Sequence, residues 1–344
     1  MQRRPFLKNS ALAGFSVLTG GLLRKNPPNQ IFGQNEKKYS LDQNWAKATP
    51  ASLPVKDCHE MVQASQGQIL LLTNETRNNL ISFDKSGRVL GSAAHNFPGG
   101  HGLTLAGEGS DQVLFITDTE LNQVFKTDLS GNAIQSWQCP MDTGLYENAK
   151  QFVPTETTVL PNGEFYVADG YGAQHILHYG ADGLLKNSFG GRGEGDHHLD
   201  NAHGICVDDR NGTPTLLVTD RTRCCFKRFT LAGEYLEKIE LPGACVCRPV
   251  IRGQYLYAAV LRSPHMGTDG TGFVIILNKE NKVVSVIGGA EAAYNPDGSL
   301  QPFYQTIQLF RHPHDVLVDD EENHYVCQWN SGQAYPYKVT PVGG

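Results

Sequence analysis

From residue 45 onward the apolar positions of this chain fall in short runs and alternations, and no stretch sustains the 3.6-residue period of a helix. Leu114–Asp118, Glu164–Asp169 and Leu216–Asp220 each read as an apolar strand closed by an aspartate. His175–Gly183 and Gln123–Gly131 follow as alternating segments, the first containing Ile176-Leu177-His178-Tyr179. Asn162-Gly163 and Asp182-Gly183 are the dipeptides that tight hairpins favour. The pattern predicts antiparallel hairpins throughout, hence an all-β chain.

The same phrase recurs six times. A His or Pro leads an apolar run, a turn follows, then a strand ending near Asp, then a further strand with Phe or Tyr, then a hairpin of Asp-x-x-Gly type. The clearest copies start at His101-Gly102-Leu103, at Pro154 and at His203-Gly204-Ile205; weaker ones start at Cys58-His59, Arg248-Pro249 and Pro313-His314. Aligned, the leading column reads His59, His101, Thr155, His203, Pro249 and His314. Each unit has room for four short strands, which is one blade of a propeller; one blade cannot bury its own faces, whereas a ring of blades can. The expected fold is therefore a six-bladed β-propeller of the NHL-repeat type over residues 36–344.

Residues 1–35 are set apart as an export signal and linker. Arg3-Arg4-Pro5-Phe6-Leu7-Lys8 reads as a twin-arginine signal, and the apolar stretch Ala11 to Leu23 is short and interrupted by Gly14, Gly20 and Gly21. A periplasmic or extracellular destination is expected, with no stable membrane span after processing. A net charge of −6 without a basic run argues against nucleic acid as a partner. The 37 glycines suit a fold with many turns. Export permits disulfides among the 8 cysteines. None shows C-x-x-C spacing, and their pairing stays open.

His101, His203 and His314 lead blades two, four and six. Alternate blades of a six-membered ring lie about 120° apart, so three imidazoles converge on the axis from three sides, with a fourth position left for water or substrate. That donor set predicts zinc. His59 occupies the same column on blade one and is expected to contact substrate or support the ligands. Asp315 extends below the metal, where a calcium ion would suit its carboxylate and the backbone carbonyl of Leu103.

At these residues the sequence resembles the peptidyl-α-hydroxyglycine α-amidating lyases, through His101-Gly102-Leu103, Thr117-Asp118, Asn122–Lys126, Ala168-Asp169-Gly170-Tyr171, Thr219-Asp220-Arg221 and Pro313-His314-Asp315-Val316. The resemblance implies zinc on the three histidines and calcium at Asp315 and the Leu103 carbonyl. It implies Tyr171 as an active-site base and Arg221 as a clamp for a substrate carboxylate. It implies cleavage of a hydroxyglycine-extended substrate into an amide and glyoxylate. The chain departs from that family at its rim. Lys56 stands where a second arginine is expected and loses the planar fork. Gly172 replaces a cysteine, Cys224 and Cys225 fall outside the second family disulfide, and His312 replaces a methionine. Three functions follow: a metal-dependent lyase acting on a small carboxylate-bearing or peptide-derived substrate, a non-catalytic propeller that binds a protein or glycan around a structural metal, and, ranked last, a calcium-dependent lactonase-like hydrolase, which wants carboxylate and amide ligands where the leading column offers mostly histidine. An open metal position beside Tyr171 and Arg221 separates the first from the second.

Overall fold

The computed structural model describes residues 30–264, 266–267 and 269–343. The export signal expected in the first residues lies outside them. Among the described residues no helix is long and apolar enough to cross a membrane.

Six antiparallel sheets follow one another along the chain, five of them four-stranded and one five-stranded. Their innermost strands are Cys58–Gln63, Gly100–Ala106, Glu156–Val159, Ala202–Asp208, Cys245–Arg252 and Pro313–Val318. Each packs on the next, and the sixth packs on the first. The protein is a six-bladed β-propeller, as the repeats predict.

The second strand of each blade reads as a nearly continuous apolar run because both of its faces are buried. In blade three, Phe165 and Val167 pack toward blade two while Tyr166 and Ala168 pack toward blade four. In blade one, Ile69 and Leu71 face blade six while Leu70 and Leu72 face blade two. One apolar cluster fills every interface between neighbouring blades, so the core is a ring of six wedges around the axis.

Ring closure departs from the expected boundary. Blade six takes two of its strands from the beginning of the described chain: Lys37–Asp42 pairs with Tyr337–Pro341, matching Tyr39 to Pro341 and Leu41 to Val339, and Phe32–Gln34 pairs outside it. The propeller thus begins at residue 32, ahead of the boundary expected at 36. The segment carries no leading His or Pro, so the repeat phrase does not reveal it.

Candidate metal centre and active site

The ladder between first and second strands slips at the same place in five blades. The slips fall between Cys58 and Glu60, Gly100 and Leu103, Ala202 and Ile205, Val246 and Pro249, and Pro313 and Asp315. A bulge releases a residue from pairing and re-aims its side chain. The residues released are His59, His101-Gly102, His203-Gly204, Cys247-Arg248 and His314. In blade three Thr155 holds the matching place, its N–H donating to the Ala168 carbonyl at 2.8 Å. Pro249, expected to lead blade five, instead pairs with Ala258 two residues further on, and Cys247 leads. Proline opens the phrase at Pro154 and Pro313, and that cue misaligns blade five.

The leading positions of the six inner strands are therefore four imidazoles, one thiol and one threonine, of which His59, His101 and His314 line the axial cavity. The ring centres of His101, His203 and His314 lie 4.8 Å apart in all three pairs. Three imidazoles binding one tetrahedral ion at about 2.0–2.1 Å place their centres about 5 Å apart, so the spacing suits a shared ion. His59 joins the set at 5.1 Å from His101 and 4.8 Å from His314. By ligand atoms, two triads lie within 4.8 Å: His59 with His101 and His314, and His203 with Cys247 and His314. The trio expected from alternate blades is not itself one of these triads: His314 belongs to both, His101 to the first and His203 to the second.

Hydrogen bonds orient two of the rings. Nδ1 of His101 lies 2.9 Å from the Thr155 carbonyl, and Nδ1 of His314 lies 3.1 Å from the His59 carbonyl. An Nδ1–H held by a carbonyl leaves Nε2 as the lone-pair nitrogen, the arrangement metal-binding histidines adopt. Among the described residues, both ring nitrogens of His203 and Nδ1 of His59 are buried without a hydrogen-bond partner. Unpaired buried polar atoms are costly, and a cation among them would satisfy the lone-pair nitrogen of His203. Burial, above all, holds every one of these imidazoles well below its ordinary pKa. For His59, burial and then the charge of Lys56 lower it to about 3. They are neutral at pH 7, the form that ligates a metal. The donor set fits a divalent transition metal such as zinc.

The wall repeats the same sixfold logic one step outward. Asn74, Thr119, Tyr171, Arg221, Leu261 and Trp329 each follow or end the second strand of their blade, and they line a cavity of about 340 Å³ above His59, His101 and His314. Buried aspartates set these turns. Asp169 accepts from the Val153 and Ala173 N–H groups, both at 2.6 Å, and from the Tyr146 hydroxyl, which fixes the loop bearing Tyr171. Asp220 accepts from the Asp200 N–H and from Arg223 at the base of the Arg221 turn. The Tyr171 hydroxyl lies 3.1 Å from His101 Nε2 and accepts from Arg221 Nη2 at 3.1 Å. Three residues from three blades, 120 positions apart in sequence from first to last, meet at one oxygen.

The remaining expected residues lie elsewhere. Lys56 is exposed and does not line the cavity. His312 is buried beside the channel, where it accepts from the Gly270 N–H at 3.2 Å and has Nδ1 3.3 Å from the Asn330 carbonyl; it serves packing. Asp315 and Leu103 do come together in the layer below the floor, but around Arg248, whose Nε and Nη2 donate to Asp315 at 3.1 and 2.8 Å and whose Nη1 donates to the Leu103 carbonyl at 2.9 Å. The sequence reading missed Cys247, Arg248 and Trp329. Correct alignment of blade five on its bulge, not on its proline, is the signal that finds the first two.

Fold and cavity together define a six-bladed propeller with a histidine-floored pocket on its axis. One stretch is 35% identical over 97 residues to peptidyl-alpha-hydroxyglycine alpha-amidating lyase 1 of Drosophila melanogaster, covering 26% of this chain and 17% of that protein. The match therefore spans about a sixth of that relative's length. No protein-family model matches the chain. Similar solved structures include a virginiamycin B lyase from Staphylococcus aureus, with a TM-score of 0.51, 15% identity and coverage of 82% of this chain and 80% of that one. A gluconolactonase from Xanthomonas campestris gives a TM-score of 0.57 at 11% identity, covering 83% and 86%. At these identities the shared property is the propeller fold.

Proposed function

We propose that the protein is an exported metal-dependent lyase whose substrate is a small carboxylate-bearing carbinolamide, of which a hydroxyglycine-extended peptide is the leading case. The observation that carries this reading is the Tyr171 hydroxyl, 3.1 Å from both His101 Nε2 and Arg221 Nη2 and open to the cavity. His101, His203 and His314 would hold the metal, which supplies Lewis-acid polarisation of the carbinol when bound. Arg221 binds the substrate carboxylate and orients the carbinol carbon toward the floor. Tyr171 would act as its phenolate, with the Arg221 guanidinium beside it, and take the carbinol hydroxyl proton to become the neutral hydroxyl. As the C–O group becomes a carbonyl, the C–N bond breaks, its electron pair passes to nitrogen, and the proton held at Tyr171 is delivered there. The products are an amide and glyoxylate, with atoms and charge balanced. The partial likeness to the amidating lyase, 35% identity over 97 residues, supports the same reading.

The test is glyoxylate release from a hydroxyglycine-capped peptide by zinc-loaded protein, with metal content measured alongside. Tyr171→Phe is expected to retain the metal and lose about 10²–10⁴-fold in turnover, the usual contribution of a positioned acid–base group. His101→Ala is expected to lose both. A wild type that folds, binds zinc and releases no glyoxylate would favour the structural-metal, partner-binding propeller. Full turnover by Tyr171→Phe would remove that residue from the reaction.

A further inference from the structure

One layer beneath the histidine floor, five blades converge on a single side chain. Arg248, released in the bulge of blade five, reaches across the axis with only 11% of its side chain exposed. Its Nε and Nη2 grip both oxygens of Asp315 from blade six. Nη1 donates to the Leu103 carbonyl of blade two at 2.9 Å and lies 3.0 Å from Glu60 Oε2 of blade one. Nη2 donates to the Met61 carbonyl at 3.3 Å. Glu156 Oε2 of blade three is buried 3.9 Å from Nε, and the Glu156 and Glu60 carboxyls share a hydrogen bond when one is protonated, burial above all raising both pKa values. Three buried carboxylates and two carbonyls thus surround one guanidinium. The second carboxylate oxygen of Asp315 brings the set to six oxygens, the number and kind a calcium ion takes.

The calcium expected at Asp315 and Leu103 does not fit, because the guanidinium already occupies the space between those ligands and uses their lone pairs. We propose that Arg248 is a built-in replacement for a hard divalent cation: the chain supplies its own positive charge to the axis, and a latent calcium site lies under that side chain. The bidentate fork on Asp315 gives the arginine the directional hold that an ion obtains from several oxygens at once. A bound ion can be lost by dilution, whereas a covalently attached guanidinium cannot. Gly204 makes the arrangement possible, since a Cβ there would lie 2.6 Å from the Arg248 Cα. This inference concerns the layer below the floor and stands or falls independently of the reaction proposed above it.

The experiment measures bound calcium and thermal midpoint in zinc-loaded protein, in calcium-depleted buffer and in millimolar calcium, for wild type, Arg248→Ala and the shorter, neutral but still polar Arg248→Gln. The wild type is expected to carry no calcium after dialysis and to melt at the same temperature in both buffers. The variants are expected to melt lower without calcium, to bind one ion per chain, and to recover by several degrees when calcium is added. Calcium retained by the wild type, with a midpoint that falls on its removal, would overturn the proposal. So would variants that fold but show no response to calcium, which would reduce the cluster to an ordinary ion-pair network. If neither variant folds, a calcium-free wild type whose midpoint ignores calcium supports the replacement, and one that responds overturns it.

Discussion

The Sγ atoms of Cys224 and Cys245 lie 3.4 Å apart, the first in the turn that carries Arg221 and the second at the start of the inner strand of blade five. Either thiol can donate to the other, which favours the thiolate of its partner, and a thiolate is the form that attacks a disulfide. Treatment with oxidised glutathione is expected to join the two and reduce the glutathione in exchange. A thiol titration of the folded protein should then fall by two, and Cys224→Ser should abolish the change. No sequence argument pairs these residues, because they belong to different blades and different positions of the repeat. Tyr171 and Arg221 are a contrasting case at the same scale. Both are singled out through the resemblance to the amidating lyases, yet only the folded ring shows that their side chains meet at one oxygen.

The inner-strand bulge is the element on which the site depends. It frees a side chain to point at the axis, and the glycine that follows lets the next blade close in. A Cβ at Gly102 would meet the Thr155 carbonyl at 2.5 Å and Thr117 Oγ1 at 2.7 Å; at Gly204 it would strike the Arg248 backbone. Gly204→Ala is therefore expected to destabilise the protein by about 1–3 kcal/mol, the usual cost of overpacking. Chemical denaturation should show a lower midpoint, and the metal stoichiometry should fall with it because His203 is the neighbouring residue. Where the bulge carries His-Gly, as in blades two and four, the sequence phrase announces it. Where it carries Cys-Arg, as in blade five, the phrase does not, and the alignment slips onto Pro249.

Ring closure belongs to the whole molecule. The strand Lys37–Asp42 completes blade six and buries Tyr39 against His324, with ring centres 4.5 Å apart. Truncating a buried aromatic typically costs about 3–5 kcal/mol, so Tyr39→Ala should lower the thermal midpoint markedly, by loosening the ring at its junction. His324 also sets a pH limit. It is fully buried, neither ring nitrogen has a partner, and burial followed by the charge of Lys37 lowers its pKa from 6.5 to about 3. The unfolded chain takes up this proton near pH 6.5 while the folded one resists, so the stability it contributes above that pH is lost progressively as pH falls from 6.5 toward about 3. His324→Phe keeps the ring between Tyr39 and Tyr257 and removes the titration. Its unfolding free energy should decline less steeply than that of the wild type between pH 6.5 and 4, as followed by denaturant melts at stepped pH.

The sequence by itself determined the all-β class, the six repeats and the histidines at the head of blades one, two, four and six. Apolar alternation and turn residues act locally, and a repeat displays its own column. It also marked Asp315 by its place beside His314, and Tyr171 and Arg221 through the resemblance to the amidating lyases. Only the tertiary structure decided which of these side chains share a volume. Closure of the ring drew its last strands from residues 32–42, brought Cys247 beside His203 and His314 and placed Arg248 where a calcium ion was expected. Contacts across an axis depend on the register of several strands at once, and a one-residue bulge changes which side chain points inward. Such information is distributed over five blades, so no window of sequence contains it.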